Sequence, residues 1–278
     1  MATSNNIKKK KTKPAIISED QITKKQSTLY AFISFAVVVV LWQLAVLFLP
    51  NFGNIFPGPY DVVALMIKIV KEPVGRLTLF AHLGWTLKRI FIGYIIGAVI
   101  GVITGLAMGT SKLANAIISP VFEILRPIPA IAWVPMAILW FGLGEASKYF
   151  IIGFSTFVIC ALNSIAGARA TSEKLKGAAR MLGASERQLF SKIILPSSVP
   201  QIFAGLQISL SASCSTILAA EMVRSEEGAG WLILRGMNTG NMTLVLVGLI
   251  VISVTGLILA TVMRAIERKA ISWSFRGK

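Results

Sequence analysis

The chain has 278 residues, 55% of them hydrophobic and only 14% charged, with a mean hydropathy of +0.73. Soluble domains carry about 25% charged residues, so this balance argues against an ordinary water-soluble globule. The remaining charge is lopsided, 28 Lys and Arg against 12 Asp and Glu for a formal +16; such an excess suits nucleic acid or an acidic surface, and the hydropathy makes that surface a membrane. A single histidine, His82, and two cysteines, Cys160 and Cys214, in apolar runs leave almost nothing for a His-based triad or a His/Cys metal site. The cysteines read as small buried hydrophobes.

In chain order, residues 1–28 are polar and hold the run Lys8 to Lys11, and they read as a basic tail. Leu29 to Leu49 is uncharged over 21 residues, long enough at about 1.5 Å per residue to cross a hydrocarbon core of about 30 Å. Pro50 and the cluster Asn51 to Pro59 end it. Tyr60 to Val70 interleaves apolar and charged residues and predicts a short interfacial helix. A second span covers about Ile90 to Met108. A third, Leu113 to Phe141, contains Arg126, Pro127, Pro129 and Pro135 and must be interrupted; such breaks survive in a membrane only where protein or water satisfies the freed backbone groups. A fourth runs from about Tyr149 to Ala168, a fifth from about Val199 to Ala220 and a sixth from about Thr243 to Ala265. The polar stretch 169–192 separates the fourth and fifth, and a Gly-rich polar connection, Glu221 to Asn241, the fifth and sixth. The organisation is a basic tail (1–28), a membrane domain (29–265) and a second tail (266–278) in an all-α polytopic protein of six transmembrane helices.

Six spans place both termini on one side. Nineteen of the 28 basic residues fall in 1–28, Lys112, 169–192 and 264–278. Lys88 and Arg89 are counted in the opposite loop, and Arg126 is the one basic residue inside a span. Cytoplasmic loops carry the Lys/Arg excess, so both termini and the 169–192 loop are predicted to be cytoplasmic.

The second span places Gly93, Gly97, Gly101, Gly105 and Gly109 at every fourth residue, a stripe without side chains. Small residues on one face let another helix approach closely; the partner is either a helix of the same chain or a second subunit. In the 169–192 loop, residues 172–181 predict a short helix stopped by Gly183. Ser185 then caps a second helix, with Gln188 completing a capping box, and Pro196 ends the unit. This basic helix–turn–helix block is either a plain connecting loop or a docking element for a cytoplasmic partner.

The block resembles the coupling loop of the membrane subunits of binding-protein-dependent ABC importers. That family's pattern is Glu-Ala-Ala, three residues, Gly, nine residues, then Ile-x-Leu-Pro. Ala178, Ala179, Gly183, Ile193, Leu195 and Pro196 match it at the right spacing, with Gly177 where the family commonly has Glu. The segments Leu125 to Glu145 and Ala219 to Leu232 are similar to the nitrate/sulfonate/taurine branch. The resemblance implies the type I importer permease fold and a homodimer forming the pathway in a bacterial cytoplasmic membrane. It also implies two cytoplasmic ATPase subunits carrying ATP and Mg²⁺, and an extracytoplasmic binding protein. It implies a small organic sulfonate such as taurine or an alkanesulfonate as cargo, with nitrate, bicarbonate or a pyrimidine vitamin precursor as rivals. No Gly-x-x-x-x-Gly-Lys-[Ser/Thr] loop occurs in the sequence, so ATP hydrolysis is expected elsewhere and the chain is read as a transporter subunit rather than an enzyme. A membrane enzyme or scaffold is the reading from another class, and no acid/base pair in the spans favours it.

Ionisable groups inside spans are costly and face a cavity or a partner. Glu123 and Arg126, three residues apart, are read either as an ion pair or as a site where Arg126 meets an anionic substrate; Arg suits oxyanions through forked hydrogen bonds. Ser209, Ser213 and Thr216 share a face that either lines a polar pore or bonds its own backbone, and Asn163 is equally ambiguous. Glu221, Arg224, Glu226 and Glu227 are read as an outer cluster, a solvated loop or the surface that meets the binding protein. Glu145 and Lys148 read as interface anchors, and His82 as structural.

Overall fold

The computed structural model describes residues 24–48, 56–223 and 225–271, with side chains from Gln26 onward. Helix α1 (Lys24–Phe48) is apolar and almost wholly exposed. It is tied at its far end, where Trp42 Nε1 donates to the carbonyl of Pro57 at 3.1 Å. Helix α2 (Pro59–Lys71) starts with proline in its first turn, where no N–H is needed, and ends with Lys68 and Lys71 against the negative end of its dipole. The expected amphipathic helix is therefore present, with Val62 and Ile69 buried against the bundle.

Helix α3 (Leu79–Thr110) begins eleven residues before the expected second span and so takes in His82, Thr86 and Arg89. Helix α4 (Lys112–Leu125) starts at Ser111, whose Oγ accepts from Ala114 N–H at 3.2 Å. Arg126 to Pro129 break it, and a 3-10 turn (Ala130–Trp133) leads into α5 (Val134–Phe141) at 88° to α4. Helix α6 (Glu145–Arg169) follows.

The glycine stripe shows how these pieces stack. A Cβ on Gly93 would meet Ile152 at 2.7 Å, on Gly101 the backbone of Phe157 at 2.6 Å, and on Gly109 Ala168 at 2.6 Å. The alternatives for the stripe therefore resolve to packing within the chain, of α3 on α6. The contacts advance in the same direction along both helices, so α3 and α6 run parallel. The chain between them, 111–144, must return across the same thickness, roughly 24 Å for the sixteen residues from Gly93 to Gly109. The bent α4–α5 pair therefore reads as a broken crossing rather than a re-entrant hairpin, which brings the candidate crossings among the described residues to six.

Helix α7 (Glu173–Met181) is closed by Gly183 at φ +81°. Gly183 N–H donates to Arg180 O and Ala184 N–H to Ala179 O, both at 3.0 Å, the left-handed glycine stop. Helix α8 (Glu186–Leu189) carries the expected capping box: Gln188 N–H donates to Ser185 Oγ at 3.3 Å and Ser185 N–H to Gln188 Oε1 at 2.9 Å. Pro196 does not end this unit. A π turn (Phe190–Ile194) carries the chain directly into α9 (Leu195–Met222), so the helix is continuous from Glu186 to Met222. Proline in a helix lacks a donor and crowds the carbonyl four residues back; the wider turn before it relieves both.

Helix α9 runs antiparallel to α6, with Gln201 beside Gly167, Asn163 beside Gly205 and Ser213 beside Thr156. The connection after it is not a loop throughout: it contains the buried-faced helix α10 (Ala229–Asn238), followed by α11 (Met242–Ala270). Ile90, Tyr94, Ile151, Ile152 and Ile217 form the core between α3, α6 and α9. Val62, Ile69, Leu232, Leu244 and Val247 knit α2, α10 and α11 together. Leu106, Ala168, Leu189, Ile194 and Ile202 seat the α8–π segment on the ends of α3, α6 and α9. The proposed boundaries at 28/29 and 265/266 fall inside α1 and α11, and residues 1–23 and 272–278 of the two tails lie outside the described residues.

Candidate functional site

Three regions hold the polar chemistry: one end of the bundle with α7 and α8, the break at mid-depth, and the opposite end.

At the first end, Ile194 and Leu189 are buried while Ile193, Leu195 and Ala179 pack partly against them. Of these, Ile193, Leu195 and Ala179 are family-motif positions, and the five side chains together hold the block onto the spans. Ala178 faces outward, and a Cβ on Gly177 or Gly183 would meet nothing within 4 Å. At the tip, Met181 and Leu182 are 85% and 89% exposed. Two large apolar side chains thus stand exposed side by side at a capped helix stop.

At mid-depth, Arg126 pairs with Glu123 at 2.9 Å, as the three-residue spacing suggests. Arg126, Ile128 to Ala130, Phe154, Ser155, Val158 and Ile159 line a small pocket of about 170 Å³. Ser155 is eleventh of the 25 residues of α6, so the helix break and its arginine sit about half-way through the bundle. Thr216, on the facing helix α9, bonds Ser155 Oγ at 3.4 Å and its own Ala212 carbonyl at 2.9 Å. Ser209 and Ser213 are not on this surface. Both are fully buried between α6 and α9, where Ser213 Oγ lies 3.0 Å from Thr156 Oγ1 and Ser209 Oγ 3.3 Å from Cys160 Sγ. They rotate inward because α9 packs that face on α6. Asn163 is likewise engaged: Nδ2 donates to Ile159 O at 2.9 Å and Oδ1 accepts from Gln201 at 3.3 Å.

The opposite end holds the feature that the sequence reading missed. Arg89 is fully buried. Its Nε and Nη2 donate to Glu145 at 2.7 and 2.8 Å, and Nη1 donates to Glu221 Oε1 at 2.9 Å and to the Glu227 carbonyl at 2.8 Å. Lys148 donates to Glu145 at 2.8 Å. Glu221 is itself fully buried, so it is no part of an outer surface. Its carboxylate accepts from Thr86 Oγ1 at 2.9 Å and from Gly230 N–H at 2.9 Å. Ala229 N–H donates to Thr86 Oγ1 at 2.9 Å and Gly228 N–H to His82 Nδ1 at 3.1 Å. Because Nδ1 accepts, Nε2 carries the proton that it donates to Val74 O at 3.0 Å. Three successive N–H groups at the start of α10 are thus satisfied by side chains from α3 and α9 rather than by a local cap. Gly228, at φ +113°, and Gly230 are required here, since a Cβ on either would collide with Glu221. Glu226 remains outside, paired with Arg76 at 3.6 Å, and Arg224 lies outside the described residues. The signal in the sequence was the spacing of His82, Thr86 and Arg89 along one helix face; it was hidden by treating Lys88-Arg89 as the end of a loop.

Six crossings with the third broken at mid-depth around an arginine, and an exposed helix pair at one end, define a membrane transport subunit. The chain belongs to the family described as the binding-protein-dependent transport system inner membrane component, whose pattern matches residues 93–272, and is an ABC importer permease subunit. It is 32% identical over 240 residues to the taurine transport system permease protein of Escherichia coli, covering 85% of this chain and 86% of that one. It is 29% identical over 244 residues to a nitrate import permease protein of Leptolyngbya laminosa, covering 86% of each. A chain of the MetNI methionine ABC transporter in an inward-facing conformation has the same fold, with a TM-score of 0.58 at 20% identity, over 69% of this chain and 95% of that one.

Proposed function

We propose that two copies of this chain form the transmembrane pathway of an ATP-driven importer for a small organic sulfonate, with two ATPase subunits on the cytoplasmic side and a binding protein outside. ATP and Mg²⁺ belong to the ATPase, and both termini of this chain lie in the cytoplasm with α7 and α8. The observation that carries the reading is the exposed Met181–Leu182 tip on a block seated firmly in the bundle: a push on the tip is transmitted to the ends of α3, α6 and α9. Closure and opening of the ATPase pair then rock the two permease subunits between two states.

The cargo assignment rests on Arg126. Transporter sites lie near the bilayer midplane at broken helices, and here a guanidinium, Ser155 and Thr216 gather at such a break. Sulfonate and nitrate are both planar-faced or trigonal oxyanions that a forked donor can hold, and the nitrate-permease relative keeps nitrate as the second reading.

Two experiments bear on this. Met181→Asp with Leu182→Asp should reduce co-purification of the ATPase subunits by at least about tenfold, because exposed apolar anchors dominate such contacts; undiminished co-purification would remove the docking role. Arg126→Gln should reduce uptake of taurine by about tenfold or more while the ATPase still co-purifies. Unchanged uptake would make Arg126 only the partner of Glu123.

A further inference from the structure

At the end that carries α7 and α8, the α3–α4 turn and the last turn of α6 enclose a polar cavity of about 700 Å³. Four cations line it, Lys112, Arg169, Lys176 and Arg180, against two carboxylates, Glu173 and Glu186. Lys176 is paired with Glu173 at 2.9 Å and Arg180 with Glu186 at 3.1 Å. The other two cations have no carboxylate partner among the described residues. Arg169 donates to the neutral Asn115 Oδ1 at 2.8 Å, and Lys112 stands alone on the rim. Among the described residues, the cavity therefore keeps two positive charges without a carboxylate against them.

Their position along the bundle identifies the ligand. Lys112 is the first residue of α4 and Arg169 the last of α6, so the two charges stand at the ends of apolar candidate spans, the level at which headgroups would meet the hydrocarbon. The facing wall is apolar, built by Leu189, Phe190 and Ile194. From Lys112, the exposed residues Leu113, Ile117, Val121 and Ile124 climb the outside of α4 at helical spacing. Two cations at an interfacial cavity, beside an apolar track running into the membrane, match a phosphate carrying acyl chains.

We propose that this cavity binds the phosphate headgroup of an anionic phospholipid, held by Lys112 and Arg169, with an acyl chain along α4. Basic pockets between crossing helices at the membrane surface recognise phosphate in this way, through charge-assisted hydrogen bonds. Bound there, the lipid bridges α7 and α8 to the ends of α3, α4 and α6, so lipid composition reaches the block that receives the ATPase. Free inorganic phosphate shares the headgroup chemistry but not the acyl track.

The test uses the full chain, purified in detergent with the subunits that accompany it. Phosphatidylglycerol, phosphatidylcholine and inorganic phosphate are added separately. Retained lipid is counted by native mass spectrometry and the thermal unfolding midpoint is recorded. Phosphatidylglycerol should be retained and should raise the midpoint, and phosphatidylcholine should do neither. K112Q/R169Q should lower phosphatidylglycerol retention about tenfold, while K174Q, an exposed lysine of α7 outside the cavity, should not. K112Q alone, at an exposed residue without an ion pair, should give a partial loss in a chain whose packing is untouched. Equal retention by wild type and K112Q/R169Q, or an equal loss in K174Q, would overturn the site. A midpoint shift from inorganic phosphate as large as that from phosphatidylglycerol would overturn the lipid and leave a free oxyanion.

Discussion

Arg89→Ala is expected to destabilise the folded chain by about 3–5 kcal/mol, the cost of removing one partner from a buried ion pair. The loss should appear as a sharp fall in folded protein recovered from the membrane and in its thermal midpoint. Glu221 would stay fully buried with no cation against it, and Glu145 would keep only Lys148. Arg89→Lys should be intermediate. A single ammonium cannot reproduce the fork on Glu145 while reaching Glu221 and the Glu227 carbonyl. Removing the carboxylate instead, in Glu221→Leu, leaves Gly230 N–H and Thr86 Oγ1 without their acceptor and leaves Arg89 Nη1 only the Glu227 carbonyl, so it too should destabilise the chain. Recovery and midpoint unchanged in Arg89→Ala would show that α3, α6, α9 and α10 are held together by packing alone.

The second large effect is expected at Gly97. Alanine there directs its Cβ into the carbonyl of Gly153, a backbone atom that cannot turn away, and to 2.8 Å from Thr156 Cβ. The helices must separate, and overpacking of this kind costs about 1–3 kcal/mol. Gly84, on the same helix, has nothing within 4 Å of its would-be Cβ. Gly84→Ala should therefore stabilise the chain by about 0.4–1 kcal/mol through lower entropy of the unfolded state. Opposite signs in the thermal midpoints of the two variants would confirm the contact. A matching response would mean that α3 does not pack on α6 at Gly97.

Some of the protein's chemistry is local and was legible as such. The left-handed stop at Gly183 and the Ser185/Gln188 box are made by residues within five positions of one another, so their spacing in the chain is their spacing in space. The Glu123–Arg126 pair is local in the same sense. The end of α3 shows the contrary case. Lys88-Arg89 reads as the edge of a loop because charge is expected in water, yet Arg89 is buried. Its carboxylate partners stand 56, 132 and 138 residues away. The spacing of His82, Thr86 and Arg89 on one helix face is the only local sign; the carboxylates that cancel the charge belong to distant elements. The same distance effect moved Glu221 from an expected surface to the interior, and turned Ser209 and Ser213 from pore candidates into contacts between α6 and α9.

By itself the sequence determined the class: an apolar, basic, all-α chain of membrane-spanning segments with the third broken, and a capped helix–turn–helix block between the fourth and fifth. Those properties follow from composition, periodicity and short-range capping, which need no partner beyond a few residues. Tertiary structure alone decided which helix the glycine stripe meets, that α3 and α6 run parallel, and that the bent pair must cross. It alone placed Arg89 at the centre of a buried network and left Lys112 and Arg169 without carboxylates among the described residues. Each of these depends on which faces of distant helices pack together, and in a membrane that is settled by close contact and paired charge rather than by hydrophobicity, which nearly every face shares.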